Sequence, residues 1–132
     1  MATKSVAVGL PADKIHNTAN MPVSELGAIH EFGLPEQGIP ERSFLRSTML
    51  LRGAEAQKLM KAAGIAVMNG ADVDTELEKI ALWLQGAVQE RIVELKSPPK
   101  SAASIAANPD KTNPLILTGE MRQSIIGVVI DD

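Results

Sequence analysis

The sequence predicts an α+β fold: a small antiparallel sheet packed by two long central helices. Two observations carry this expectation. Short β-branched segments lie near the two ends, and the middle holds two long stretches rich in Leu, Met, Ala, Lys and Glu.

"SVAVGL" (Ser5 to Leu10) is short, Val-rich and stopped by Pro11, so it reads as a strand. "PADKIHNTANMP" (11–22) is polar, bounded by two prolines and without period, and is expected to be a flexible loop. "VSELGAIHEFG" (Val23 to Gly33) is apolar at Val23, Leu26, Ile29 and Phe32. That spacing favours a short helix or turn, weakened by Gly27 and ended by Gly33. A Pro/Gly-rich loop over 33–40 follows. The first long helix is expected from Glu41, behind Pro40, to about Ala63 or Met68. Gly53 and Gly64 inside it suggest a closely packed neighbour.

The second long helix is expected over Thr75 to Leu95. Thr75 and Glu78 have capping-box spacing, and Leu77, Ile80, Leu84, Val88 and Ile92 mark one apolar face. "SPPK" (Ser97 to Lys100) stops it. An Ala-rich turn (101–107) and a loop holding Pro109 and Pro114 lead to "TGEMRQSI", one helical turn capped by Thr118 with Met121 inward. "SIIGVVID" (Ser124 to Asp131) closes the chain as a strand. The segments Val6 to Leu10 and Ile125 to Ile130 are expected to pair.

Length and composition set the bounds. The 132 residues predict one domain spanning 1–132, large enough for a modest core. Hydrophobic residues are 45% of the chain but aromatic ones only 2%, so aliphatic side chains must build that core and subunit contacts are expected to add stability. A formal charge of −3 argues against a protein whose main task is gripping nucleic acid phosphates. The absence of cysteine removes disulfides and thiolate metal sites. No apolar run approaches the ~18–20 residues needed to span a bilayer, and Met1 to Val8 has no signal-peptide core, which predicts a soluble protein made in a cytoplasm.

The stretch "AIHEFGLPEQGIPERSFLR" (Ala28 to Arg46) concentrates the chemistry. His30-Glu31 matches the start of H-E-x-x-H, but Leu34 stands where the second histidine belongs, and His16 is the only other histidine. A metal site needs three or four ligands, so none is expected. Catalysis by His30 needs a nucleophile held beside it, and no elbow or triad pattern surrounds it. No Gly-rich phosphate loop is present, so no cofactor is expected. The plain reading of His30 is a partly buried residue bonding a loop carbonyl or carboxylate. Arg42, Arg46 and Arg52 fall near Glu31, Glu36 and Glu41. They read either as a solvated helix face or, for Arg42 and Arg46, as cations one turn apart reaching carboxylates across a subunit boundary.

Two stretches also carry a resemblance. "AIHEFGLPEQGIPERSFLR" resembles the H-E-F-G … I-P-x-R-P-F-L-R signature of tailed-bacteriophage neck and tail-completion proteins. "NPLILTGEMRQSI" resembles that family's closing P-L-I-x-T-G-x-L-R-x-S-I. The order of elements is also similar, over roughly residues 5–130. Ser43 stands where the family usually has Pro, Met121 where it often has Leu, and the leading helix of many members is missing.

The resemblance implies a structural virion protein assembled in the host cytoplasm. It would form a homo-oligomeric ring in the neck that joins the head connector to the tail and lets DNA pass. It implies partners in copies of itself and in the adjacent connector and tail proteins, with no membrane. His30, Glu31, Phe32, Arg42, Phe44 and Arg46 become the expected interface residues, with Phe32 and Phe44 anchoring the loop in the apolar layer. The alternatives are a small cytoplasmic adaptor or regulator, and a small hydrolase using His30.

Overall fold

The computed structural model describes residues 4–13, 15–16, 21–95 and 119–131. In chain order these form β1 (Lys4–Gly9), β2 (Ile15–His16), β3 (Met21–Pro22), α1 (Val23–Phe32), a 3-10 turn (Pro35–Gln37), α2 (Leu45–Met68), α3 (Val73–Glu94), α4 (Gly119–Gln123) and β4 (Ile126–Asp131). The expected segments 97–100 and 101–107, and Thr118, lie outside the described residues.

β1 and β4 pair antiparallel, with Lys4 opposite Asp131, Val6 opposite Val129 and Gly9 opposite Ile126. A two-stranded ribbon is marginal in water and needs a cover on its apolar face. α3 lies across both strands, and α2 packs beside it. The α+β expectation of a small sheet under two long helices therefore holds.

Two apolar clusters fill the space between these layers. Phe44, Val88, Ile92, Leu95, Met121 and Ile125 form the first, joined by Leu10 and Leu26. Ala63, Ile80 and Leu84 form the second, against which Val6, Val8, Leu59 and Trp83 pack. All five residues of the predicted α3 face are buried, and Met121 is fully so. The core is otherwise aliphatic, as its composition requires, with Phe44 at its centre.

Several expectations need correction. β2 and β3 pair antiparallel within the segment read as a loop, because two-residue strands are too short to show a period. α2 begins at Leu45 rather than Glu41. α3 begins at Val73 rather than Thr75, because Asp72 caps it: the Asp72 carboxylate accepts from the Thr75 N–H at 3.0 Å and the Thr75 hydroxyl at 2.9 Å.

Close backbone contact does not occur at Gly53 or Gly64, where a Cβ would meet nothing within 4 Å. It occurs at Gly127, where a Cβ would sit 2.0 Å from the Ala81 carbonyl oxygen. Only glycine lets β4 approach α3 that closely.

Candidate functional site

The conspicuous construction is the turn from α1 into α2. α1 ends at Gly33, whose φ of 76° lies in the left-handed region and whose N–H donates to the Ile29 carbonyl at 2.7 Å. The chain then closes a tight loop. Leu34 and Ile39 exchange backbone bonds of 2.8 and 3.1 Å around the 3-10 turn, and Gly38 (φ 71°) completes the reversal. The returning strand crosses Gly33 so closely that a Cβ there would lie 2.8 Å from the Glu41 nitrogen. The Arg42 N–H then donates to the His30 carbonyl at 2.7 Å.

This path brings the start of α2 onto Glu31. A helix exposes unpaired N–H groups at its N-terminus, and α2 has no capping side chain at its own N-cap, Phe44. Glu31, 3% exposed, supplies the cap from the preceding helix. Its Oε1 accepts from the N–H groups of Phe44 (3.0 Å) and Leu45 (2.8 Å). Its Oε2 accepts from the Arg46 N–H (3.2 Å), the Arg46 Nε (2.8 Å) and the Ser43 hydroxyl. The Arg46 Nη2 also donates to the Glu31 carbonyl at 2.7 Å, so one guanidinium grips both the side chain and the backbone.

Burial alone pushes the Glu31 carboxyl up. Bonds from Ser43, Arg46 and the backbone of Leu45 and Arg46 outweigh it and hold the group below its ordinary value. The anion also sits at the positive end of the helix dipole.

Arg46 has a second task. Its guanidinium lies 4.6 Å from the centroid of the Phe32 ring, and its Nη2 is 3.3 Å from Glu41 Oε1. Phe32 is 61% exposed. The expectation that both phenylalanines anchor the loop in the apolar layer is therefore half right: Phe44 is buried, and Phe32 stands outside, held by the arginine stacked on it.

The two arginines also differ from expectation. Arg42 precedes α2, so the pair does not lie one turn apart on a helix. Arg42 is buried, which lowers its guanidinium pKa. Arg46 finds its carboxylates within its own chain. Arg52 bonds Glu55 and Glu90 and stacks 5.1 Å from the Trp83 ring, tying α2 to α3.

Of the six predicted site residues, the turn thus brings together Glu31, Phe32, Phe44 and Arg46, with His30 and Arg42 meeting through their backbones. Ser43 was missed, although a serine just before a helix signals a cap. Ser47, which accepts from the Arg91 Nε at 2.8 Å, was missed as well. Both Glu31 oxygens are filled by donors, and the Ser43 hydroxyl is spent on one of them. No group of three His, Asp or Glu side chains with metal-binding geometry occurs among the described residues. No protein-family model, curated protein or solved structure matches the chain.

Proposed function

We propose that the chain is a structural virion protein of a tailed bacteriophage, forming a ring in the neck that joins the head connector to the tail and lets DNA pass. The resemblance of its two quoted motifs to neck and tail-completion proteins is the starting point. The observation that carries the reading is what the first motif does in the fold. His-Glu-Phe-Gly and Pro-Glu-Arg-Ser-Phe-Leu-Arg close on each other as one hydrogen-bonded turn, with Glu31 at its centre and Phe32 displayed outside.

An aromatic ring held outward by a stacked arginine is suited to protein contact, where Phe and Arg are enriched. The turn is ordered before any partner arrives, so docking loses little conformational entropy. Phe32 is the contact of this reading, and Glu31 and Arg46 are its support. The overall acidic charge suits a ring around passing DNA, since it favours no adhesion to phosphates.

The test is complementation of particle assembly together with mass spectrometry of purified virions. The protein should be present in mature particles. Phe32→Ala should leave the subunit folded by circular dichroism yet abolish head–tail joining. Absence from virions sinks the virion role, and normal joining by the variant sinks the role given to Phe32.

A further inference from the structure

We infer that β4 takes a third strand from another protein. The occupant is a short extended segment that adds antiparallel to its free edge, with a lysine or arginine turned into the cleft beside α3. Neither Phe32 nor the virion reading enters into this.

The sheet stops one strand early. Among the described residues, β4 has β1 on one side and no strand on the other. In an antiparallel pair each residue sends its N–H and C=O to the same side, and that side alternates along the strand. One bond sets the phase here. The Gly127 N–H donates to the Gln85 side chain of α3 at 3.0 Å, so Gly127 points away from β1. Val129 and Asp131, at two-residue steps, point the same way, while Val128 and Ile130 bond β1. Gln85 closes the Gly127 end of the edge. The N–H and C=O of Val129 stay open beyond it.

Edge strands are commonly blunted by lysine, proline or a bulge. β4 has neither residue, and its register with β1 is unbroken. Gly127 faces Ala81 of α3, so the alternate side chains of Ile126, Val128 and Ile130 turn away from that helix. They are 44%, 38% and 40% exposed. An open edge beside an apolar face is a template for a strand with β-branched residues on the same face.

The other face specifies the rest of the occupant. A residue opposite Val129 turns its side chain to the same face as Val129, toward α3. It enters an open cleft of about 440 Å³ lined by Glu78, Ala81 and Leu82. Glu78 to Leu82 spans about 6 Å along α3, close to the two-residue step of a strand. Leu82, 66% exposed, is an apolar wall. Glu78 is exposed and has no ion pair among the described residues. A lysine or arginine lays its stem along Leu82 and brings its charge to Glu78.

The probe is the end-capped peptide Ile-Thr-Val-Lys-Ile-Thr-Val, added to the purified chain and followed by amide hydrogen exchange. In the free chain the Val128 and Ile130 amides should exchange slowly and the Val129 amide fast. The peptide should slow Val129 at least about tenfold. Glutamate in place of the peptide lysine should weaken binding at least about tenfold, and Glu78→Lys should reverse that preference. Val129→Pro, which removes the outward N–H without taking a bond from β1, should abolish binding. N-methylation of the peptide lysine's amide should do the same on an unaltered chain. A Val129 amide that the peptide leaves unprotected overturns the inference. So does a lysine preference that survives Glu78→Lys, or full binding of the N-methylated peptide. Slow Val129 exchange in the dilute chain alone would mean that the edge is covered from within. Protection that grows with the concentration of the chain alone would give the edge to a second copy, and either result overturns a strand from another protein.

Discussion

α2 and α3 solve the same problem in opposite ways. Each begins with N–H groups that have no partner inside the helix. α3 is capped by Asp72, the residue next to it, in an exposed bond to Thr75. α2 is capped by Glu31, a buried residue from the helix before it, which also bonds Ser43 and Arg46. The first cap fixes one helix end. The second fixes the angle between two helices and the shape of the turn that carries Phe32.

The largest expected effect follows from that difference. Glu31→Ala removes a buried carboxylate that serves several donors, while Arg46, half-exposed, keeps water as a partner. The N–H groups of Phe44 and Leu45 then lose their acceptor, which costs about 1–3 kcal/mol for each donor left unsatisfied. Urea unfolding should report a loss of that size, against about 1 kcal/mol for Asp72→Ala, an exposed local cap. Equal losses at the two sites would erase the distinction.

Glycine substitutions sharpen the same contrast. Gly33 and Gly70 both hold positive φ, at 76° and 102°. Alanine at Gly70, in the open turn between α2 and α3, meets nothing and should cost about 1–2 kcal/mol for the backbone alone. Alanine at Gly33 adds a Cβ 2.8 Å from the Glu41 nitrogen, against backbone that cannot swing away. Its cost should exceed that of Gly70→Ala by about 1–3 kcal/mol, measured by the same unfolding midpoints.

Acid should separate the caps as well. The Glu31 carboxyl is depressed in the folded chain, so between its folded and unfolded values the unfolded state binds more protons. The stability it contributes is complete above the unfolded value and is lost as pH falls through the depressed one. Glu31→Gln has no such proton to take up. Its stability should therefore fall less than the wild type's over that acid window, and parallel curves would deny Glu31 its role.

What was legible in the sequence follows the same line between local and distant. The buried face of α3, the inward Met121 and the helix stop at Gly33 were readable, because periodicity and backbone freedom act within a few residues. The start of α2 was misplaced because its cap lies more than ten residues upstream, and Pro40 offered a nearer signal. Asp72 was overlooked for Thr75 because both fit a cap. Phe32 was assigned to the interior because nothing in the sequence says that an arginine will hold it outside. The close approach at Gly127 depends on how β4 meets α3, which no single segment records.

The smallest expected effect tests whether Arg46 is part of the cap or of the surface. Its side chain is 53% exposed, so its ion pair with Glu31 is partly screened by water. Arg46→Lys keeps the charge but loses the planar fork that reaches the Glu31 side chain and carbonyl together, and it loses the flat face stacked on Phe32. The N–H groups of Phe44 and Leu45 still hold Glu31 in place. The stability loss should then stay below about 1 kcal/mol, while the Phe32 ring resonances lose the shifts caused by the stacked guanidinium. A loss as large as that of Glu31→Ala would make Arg46 essential to the cap. An unchanged Phe32 spectrum would mean that the ring is positioned by the turn alone.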